Sequence, residues 1–427
     1  MEKIEILRPG SASSRVWLLQ LGLTRAGRSP GKLDGIFGPK TYSALIAFQK
    51  SSGLIPDGAA GPKTFSALRP YLTGYAVHTV ARGDTFFRLA QKYGTSAAAI
   101  ETANPGVFAE NLQIGSALTV PLGFPVVSDK VPHTPEYLEI CIIGLKARYP
   151  FLGVSEVGKS VLGRPLYALS VGTGAREVFY NAAHHANEWI TSLLLMTFIE
   201  KYCAAYVSGA EPSGFDVRAL FGESTLYLMP MVNPDGVALV TGEISSGAAF
   251  ASAAAISADY PSVPFPRGWK ANIAGTDLNL QYPAGWEEAK RLKFEAGWVS
   301  PAPRDFVGFS PLSAPESRAV YNFTRAHSFA LTLSYHTQGG VIYWQYNGKA
   351  PEESAALAAE FARLSGYAAS DTPLYSGFAG YKDWFIDTYS RPGFTVEAGR
   401  GESPLPLSQF PEIYRDNEGI LLRALKT

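Results

Sequence analysis

The sequence predicts a multidomain protein with a small α-helical bundle, a small α+β unit, and a large α/β domain with a central mixed sheet. The chain has 427 residues, which at about 150 residues per domain implies two to four domains. A turn motif is repeated near the N-terminus, and from residue 124 strand and helix patterns alternate to the end, as in a single α/β domain. We expect domains at residues 1–73, 74–123 and 124–427.

Composition and charge exclude several classes of protein. Hydrophobic residues make up 46% of the chain and charged residues 17%, so it can bury large cores and is neither disordered nor fibrous. Its 37 lysines and arginines balance 37 aspartates and glutamates, so there is no overall positive field to hold nucleic acid. The balance is not local, because residues 1–125 hold 13 basic and 7 acidic side chains and the remainder holds 24 and 30.

The first predicted domain contains an internal repeat. The sequence DGIFGPKT begins at Asp34 and returns as DGAAGPKT at Asp57, 23 residues further on. In each copy Asp-Gly favours a turn and Pro-Lys-Thr favours the start of a helix, which predicts short helices at residues 42–49 and 65–68. With a Leu-Gln pair in its first helix and a Phe-Gln pair in the second, this segment resembles the bacterial peptidoglycan-binding domain.

The second predicted domain follows a different pattern. A short apolar strand comes first, a Gly-Asp-Thr turn at residues 83–85 can cap the first of two short helices, and a second strand ends at Pro121. With its Tyr-Gly and Asn-Pro pairs, this order resembles the LysM domain, which binds the N-acetylglucosamine-containing glycan of cell walls. An unrelated α+β module of the same size is the alternative.

Strands and helices alternate in the third domain. The predicted strands are residues 165–171, 177–181, 225–232, 329–335 and 393–397, and a long apolar helix is predicted at 191–207. This alternation favours one α/β domain with a central sheet. An alanine- and serine-rich stretch at residues 245–258 is expected to be a surface insertion without chemistry.

Three residues of this domain have the pattern of a metal site. His185 and Glu188 lie between a predicted strand and a helix, at the strand end where ligands bind in open α/β sheets. His336 also follows a buried strand and would supply a third ligand, leaving a position open for water, as in catalytic zinc sites. Each feature is weak alone, because a histidine after a strand is more often an ordinary core or surface residue.

The motifs around these residues resemble the zinc metallocarboxypeptidase family. The matched motifs are HANEWIT at residues 185–191, NPDG at 233–236, DLN at 277–279, SYH at 334–336 and FTVE at 394–397, with Tyr375 and a DW pair at 383–384 before the last of them. The family order of these motifs makes the match specific. The resemblance implies one zinc ion (Zn2+) in the catalytic domain, held by His185, Glu188 and His336.

The same resemblance implies further roles. It makes Glu397 the general base, which a carboxylate at a strand end facing a metal can be, whereas the alternative is a structural ion pair with Arg400. Asp277 would orient His185 from behind. Tyr375 would be the mobile tyrosine that closes over the substrate, although a packing role fits the sequence nearly as well.

Two departures from the family pattern concern the substrate. Carboxypeptidases anchor the terminal carboxylate of their substrate through an arginine after the asparagine matched by Asn279, and here that residue is Leu280. An apolar side chain replaces a bidentate fork, so ordinary C-terminal trimming is not expected. The arginine that polarises the scissile carbonyl aligns with Lys270, which can still stabilise an oxyanion as a point charge.

With two wall-binding modules in front, these departures resemble the bacterial γ-D-glutamyl-meso-diaminopimelate endopeptidases of the family. The implied reaction is hydrolysis of the amide between γ-D-glutamate and the L-centre of diaminopimelate in the stem peptides of peptidoglycan. Lys382, seven residues after Tyr375, either points into the leaving-group pocket, where it would meet a diaminopimelate carboxylate, or faces solvent.

Two other functions are compatible with the sequence. The same zinc site could remove a terminal residue from a stem peptide, provided that another cation replaces the missing arginine. The protein could also be an inactive wall-binding protein, against which the intact metal ligands and Glu397 argue.

Peptidoglycan glycan chains and stem peptides are the expected partners, with no nucleic acid. The N-terminus lacks the pattern of a secretory signal and no run of about 18 apolar residues occurs, so we expect no membrane insertion. We expect a protein of the cell wall or the spore, or a cytoplasmic protein that acts within a sporulating cell or is released by lysis.

Overall fold

The computed structural model describes residues 6–426, which form two compact units. One unit contains the chain up to Pro132 together with Glu136–Gly153, and the other contains His133–Pro135 and the chain from Val154 onward. Each unit has its own sheet and its own buried core.

The first unit begins with three helices, α1 (Ser14–Arg25), α2 (Pro39–Ser51) and α3 (Pro62–Thr73). The prolines that open α2 and α3 suit the first helical turn because their φ angle is already helical. Both helices extend beyond their predicted ranges. Helix α3 ends at Thr73 and is followed by Gly74, whose left-handed φ of 73° glycine adopts without strain.

A two-stranded antiparallel sheet and two short helices follow. They are β1 (Tyr75–Thr79), α4 (Phe86–Tyr93), α5 (Ala97–Ala103) and β2 (Ala117–Pro121). Thr85 caps α4 by accepting a hydrogen bond from the backbone amide of Arg88 at 3.2 Å. The predicted order of strand, helix, helix and strand is confirmed.

Helix α6 (Pro135–Arg148) lies almost wholly within the first unit. Its last residue, Arg148, donates hydrogen bonds of 2.6–3.0 Å to the backbone carbonyls of Gly74, Leu122 and Phe124. These contacts explain why the compact units do not divide at residue 124. The domain boundaries given above stay a prediction.

The second unit alternates strands with helices. Its strands are β3 (Gly153–Lys159), β4 (Pro165–Gly172), β5 (Arg176–Ala182), β6 (Ser224–Met229), β7 (Leu331–His336), β8 (Val341–Tyr343), β9 (Ala368–Ser370) and β10 (Gly393–Glu397). Its helices are α7 (Ile190–Ser208), α8 (Val217–Glu223), α9 (Pro234–Val240), α10 (Gly247–Ala258), α11 (Trp286–Glu295), α12 (Pro315–Arg325), α13 (Ser354–Ser365), α14 (Tyr381–Tyr389) and α15 (Phe410–Arg423).

These eight strands form one mixed sheet in the order β3-β4-β6-β5-β7-β10-β8-β9. Its centre, β6-β5-β7-β10, is parallel, and β4 and β8 flank it in the antiparallel direction. The carboxyl ends of the four parallel strands therefore meet at one edge of the sheet, which is where open α/β sheets bind ligands. The predicted α/β fold with a central mixed sheet is confirmed.

Helix α7 is a core helix of this unit. With the turn before it, the segment Ala186–Ser208 is long and apolar enough to cross a membrane, but 72% of its most apolar window is buried within the fold. Phe198 of α7 packs on Tyr180 of β5, with ring centroids 6.3 Å apart. Its apolar composition is explained by this burial.

The alanine- and serine-rich stretch predicted as a surface insertion forms helix α10. One face is exposed, but Phe250, Ala253 and Ile256 belong to a small apolar cluster with Trp269. The insertion therefore supports the loop that carries Lys270, the neighbour of Trp269.

Candidate active site

The candidate metal ligands and the candidate general base lie at the carboxyl edge of the parallel strands. His185 follows the end of β5, while His336 and Glu397 are the last residues of β7 and β10. His336 and Glu397 are direct register partners on these neighbouring strands. They line a pocket of about 150 Å³, together with Glu188 and Lys270.

The three predicted metal ligands converge. His185 Nδ1 lies 3.0 Å from Glu188 Oε1, His336 Nδ1 lies 3.0 Å from Glu188 Oε2, and the two Nδ1 atoms are 3.3 Å apart. One donor atom from each residue lies within 4.8 Å of the other two. Two imidazole nitrogens and a carboxylate directed at one point are the donor set of catalytic zinc sites, so these residues fit a single metal ion.

Asp277 holds His185 in place on the side away from Glu188. Its Oδ1 lies 3.1 Å from His185 Nε2, and its Oδ2 accepts a 3.1 Å hydrogen bond from the amide of Asp305. Burial disfavours the charged imidazole, but Glu188 and Asp277 outweigh it and raise the pKa of His185 to about 9. Asp277 therefore fixes which ring nitrogen of His185 faces the pocket.

Glu397 and Lys270 face the same pocket with opposite charges. Burial, reinforced by the nearby Glu188 carboxylate, raises the pKa of Glu397 to about 8. Lys270 donates a 2.9 Å hydrogen bond from Nζ to Glu188 Oε1. Although burial opposes its charge, Glu188 keeps the pKa of Lys270 above its usual value. A carboxyl group with a raised proton affinity and a positively charged ammonium thus lie beside the three converging ligands.

Asn233, in the NPDG motif, ties together the two loops that form the site. Its side-chain amide donates to the carbonyl oxygens of His184 at 3.1 Å and Ala271 at 2.9 Å. The amide of Ala186 also donates to the carbonyl of Lys270 at 2.9 Å. The motif was recognised in the sequence without a role, and the structure makes Asn233 a positioning residue.

His184 lies behind the site and takes no part in the cluster of ligand atoms. Its ring is fully buried and its Nε2 lies 2.9 Å from the hydroxyl of Tyr282. Burial, together with the two neighbouring histidines, places the pKa of His184 well below its usual value. A neutral, buried imidazole that is hydrogen-bonded to a core tyrosine has a structural role.

Asn279 and Leu280 both line the pocket, as the resemblance implies. Asn279 is held by its neighbours, because its Oδ1 accepts a 3.0 Å hydrogen bond from the amide of Tyr381. Leu280 is 8% exposed and packs with Trp286 and Val307 in an apolar cluster. The position at which carboxypeptidases carry an arginine is therefore part of the core at the pocket wall.

Lys382 does not face solvent. Its side chain is 3% exposed, and its Nζ lies 2.6 Å from Asp383 Oδ1 and donates to the carbonyl of Gln345 at 2.6 Å and to Thr372 Oγ1 at 3.3 Å. Lys382 also lines the pocket. The alternative that Lys382 faces solvent is wrong, because the first turn of α14, which carries this residue, is buried.

Tyr375 lies outside the set of side chains that line the pocket. It is 43% exposed, and the Nζ of Lys293, a pocket residue, lies 3.5 Å from the centre of its ring. Tyr375 thus lies beside the pocket, and its role as a mobile cover stays a prediction.

The structure adds three charged pocket residues that the sequence did not single out. Lys293 is 2% exposed and its Nζ lies 2.5 Å from Asp305 Oδ1, while Arg304 Nε lies 2.6 Å from Asp305 Oδ2. The sequence contains one indication of Lys293, because it has the helical spacing of the buried residues of α11, among them Trp286. A lysine on the buried face of a helix is unusual. Arg304 and Asp305 lie in an irregular loop without such an indication.

Three models of known protein families match this chain. A model of the zinc carboxypeptidase family matches residues 139–418, a putative peptidoglycan-binding domain matches residues 12–68, and a LysM domain matches residues 78–121. These matches cover the three regions that the sequence motifs indicate.

Two curated relatives each match about two thirds of the chain. The gamma-D-glutamyl-L-diamino acid endopeptidase 1 of Lysinibacillus sphaericus is 44% identical over 283 residues, which is 66% of this chain and 69% of that protein. An uncharacterized protein of Bacillus subtilis (strain 168), YqgT, is 43% identical over 280 residues, 65% of this chain and 73% of its own length.

Solved structures share the fold at low identity. Bovine thrombin-activatable fibrinolysis inhibitor, in complex with tick carboxypeptidase inhibitor, matches with a TM-score of 0.53 at 21% identity, over 69% of this chain and 96% of that chain. The fold and the convergent His-Glu-His site define a metallopeptidase. The chain belongs to the zinc carboxypeptidase family and carries peptidoglycan-binding and LysM domains.

Proposed function

We propose that this protein is a zinc-dependent peptidoglycan endopeptidase that hydrolyses the amide between γ-D-glutamate and the L-centre of a diamino acid, meso-diaminopimelate, in stem peptides. The observation that carries the proposal is Leu280, a buried apolar residue where carboxypeptidases carry the arginine that anchors a terminal carboxylate. The name of the Lysinibacillus sphaericus relative supports the same bond.

Each residue of the pocket has a part in the proposed reaction. His185, Glu188 and His336 would hold one zinc ion, which supplies a Lewis acid that polarises the scissile carbonyl and makes a water more acidic. Glu397 takes a proton from the attacking water and passes it to the amine that leaves. Lys270 stabilises the negative charge that develops on the carbonyl oxygen. Asp277 keeps His185 in the ring orientation that binding requires.

Asn279, Leu280 and Lys382, which line the pocket, recognise the substrate in this proposal. Diaminopimelate differs from lysine by a carboxylate on its distal carbon, and a buried ammonium is the group suited to bind it. Lys382 is buried in the pocket wall and is held by Asp383 and two oxygen acceptors. We assign Lys382 to this carboxylate, which would take the place of one of the three acceptors that the ammonium contacts in the structure, and we assign Tyr375 to closure over the bound peptide.

The two N-terminal domains bind the partner of the enzyme. Peptidoglycan-binding and LysM domains indicate association with the cell wall. We propose that they hold glycan chains and stem peptides while the second unit cuts, in the wall or the spore. This arrangement raises the local concentration of substrate.

A second function has one observation in its favour. Removal of a terminal residue needs a cation in place of the missing arginine, and Arg304 lines the pocket. Its guanidinium is bound by Asp305 through Nε, which leaves its other donors for a carboxylate.

Product analysis separates the two functions. The protein is incubated with a soluble stem tetrapeptide, with and without a metal chelator, and the products are identified by mass spectrometry. We expect the dipeptide L-Ala-D-Glu, and its loss when the chelator is present. A single free amino acid would support the second function, and cleavage that is absent or insensitive to chelator would contradict a zinc peptidase of either kind.

A further inference from the structure

The two copies of the repeated motif fold into the same hydrogen-bonded unit. In the first copy the Nε2 atom of Gln20 donates to Asp34 Oδ1 at 3.0 Å and to the carbonyl of Ile36 at 3.1 Å. In the second, Gln49 Nε2 donates to Asp57 Oδ1 at 2.9 Å and to the carbonyl of Ala59 at 3.1 Å. The two copies of the repeat therefore have the same hydrogen bonds as well as similar sequences.

The turn glycines are also equivalent. The amides of Gly35 and Gly58 each donate to the Oε1 atom of the glutamine of their own copy at 3.0 Å. Both glycines have a positive φ, and a Cβ atom on either one would collide with an aromatic ring, that of Trp17 in the first copy and Tyr42 in the second. The two turns have the same constraints and the same shape.

Each copy forms a surface cavity. The first has a volume of about 420 Å³ and the second about 520 Å³. The first is lined by Gln20, Pro30, Lys32, Asp34, Ile36, Gly38, Pro39, Lys40 and Thr41. Beyond the glutamines, each of these positions has its counterpart 23 residues later among the residues that line the second cavity, which Ile6, Arg8 and Leu54 complete.

Both cavities have the same excess of positive charge. The first contains Lys32 and Lys40, and the second contains Arg8 and Lys63. None of these four side chains forms a salt bridge with another residue of the range 6–426. Each cavity also contains one aspartate, whose carboxylate accepts a hydrogen bond from its own turn. Among the described lining residues, two cations and one anion thus give each cavity a formal charge of about +1.

The two cavities reach this charge through different positions. Residue 55, the counterpart of Lys32, is an isoleucine, and Arg8 from outside the repeat supplies the second cation instead. The pKa of Asp34 is lowered chiefly by Gln20 and to a lesser extent by Lys32, and that of Asp57 chiefly by the Ala59 amide, with a smaller effect of Arg8. Arg8 therefore plays the electrostatic part of Lys32.

We propose that the two cavities are two equivalent binding sites, each of which receives a carboxylate-bearing segment of a wall stem peptide. The cations match the peptide carboxylates, and the exposed isoleucines of the cavities, Ile36 in the first and Ile55 in the second, match alanine methyl groups. A ligand with repeating stem peptides can occupy both sites, and two linked contacts bind more strongly than one. The proposal rests on the wall-binding role of this domain and not on the chemistry at Glu397.

Hydrogen exchange measured by mass spectrometry on the full chain tests this proposal. The ligand is a soluble disaccharide tetrapeptide free of teichoic acid, and Glu397→Gln prevents its cleavage. We expect slower exchange in two separate segments, residues 32–41 and 55–64. Protection of one segment only, or of neither, would overturn the proposal of two sites.

Single substitutions assign the sites. Lys40→Ala should weaken binding at the first segment roughly five-fold and leave the second protected, and Lys63→Ala should do the reverse. Lys50→Ala, on the exposed surface of α2 outside both cavities, should change neither. Equal effects of Lys40→Ala and Lys63→Ala on both segments would contradict independent sites.

A comparison of three ligands tests which chemical group the cavities bind. A tetrapeptide with amidated carboxylates should protect neither segment, and a glycerol phosphate polymer should protect them less than the tetrapeptide does. Stronger protection by the phosphate polymer would overturn the assignment to stem peptides. Binding is measured on the Glu397→Gln chain, whereas the catalytic function is tested by the products of the unsubstituted enzyme, so failure here is distinct from failure of the proposed catalytic function.

Discussion

His336 and Glu397 are paired in register on adjacent parallel strands, at the last residue of each. A proposed metal ligand and the proposed general base thus share one sheet edge, and their separation is set by the spacing of neighbouring strands rather than by a flexible loop. The backbone therefore fixes the spacing of His336 and Glu397 before any substrate arrives.

Glu397→Gln should abolish proton transfer and leave metal binding intact. Glutamine has the same shape but cannot accept a proton, so we expect turnover to fall by on the order of 10² to 10⁴. The metal content, measured by elemental mass spectrometry, should stay at one ion per chain. Loss of the metal in this variant would mean that Glu397 is a ligand rather than the base.

Asp277→Asn should weaken metal binding without removing a ligand. The amide can no longer fix the ring of His185 by charge, and we expect metal affinity to fall roughly 10- to 100-fold. Competition with a chelator of known affinity measures this directly. An unchanged affinity would show that the 3.1 Å contact between Asp277 and His185 has no positioning role.

Lys382→Met should reduce discrimination between stem peptides that contain diaminopimelate and those that contain lysine. The variant loses a charged partner for the distal carboxylate, which we expect to lower kcat/KM for the diaminopimelate peptide roughly 10- to 100-fold and to leave the lysine peptide little changed. Lys159→Met, at an exposed position on β3, is the matched control. Equal loss on both peptides would make Lys382 a structural residue.

Asn233→Ala should destabilise the second unit. The substitution leaves the buried carbonyls of His184 and Ala271 without their side-chain donor, at a cost of about 2 to 4 kcal/mol in the free energy of unfolding. Denaturant unfolding of the second unit gives the value, and Asn322→Ala, on the exposed face of α12, should change it by less than about 0.5 kcal/mol. A stable Asn233→Ala protein would contradict the role assigned to the NPDG motif.

Motifs of local origin could be predicted from the sequence. Turns, helix starts and strand ends depend on a few neighbouring residues, so the repeat at Asp34 and Asp57 and the strand ends at His185, His336 and Glu397 were all apparent. The structure then brought together the side chains that had been assigned to one metal site.

Features that depend on distant contacts could not be predicted. The burial of Lys382 results from Gln345 and Thr372, which approach it from other parts of the chain. Arg304 and Asp305 enter the pocket on a loop without periodicity. The packing of α6 with the first unit depends on Arg148 reaching carbonyls as far away as Gly74, which no local pattern encodes.

Isotope labelling identifies most directly which bond the enzyme cuts. The enzyme is allowed to cleave L-Ala-γ-D-Glu-meso-diaminopimelate-D-Ala in water enriched in oxygen-18, and the products are sequenced by mass spectrometry. We expect one oxygen-18 atom to enter the γ-carboxyl group of D-glutamate in the released dipeptide. Label in the carboxyl group of diaminopimelate, with release of free D-alanine, would contradict it.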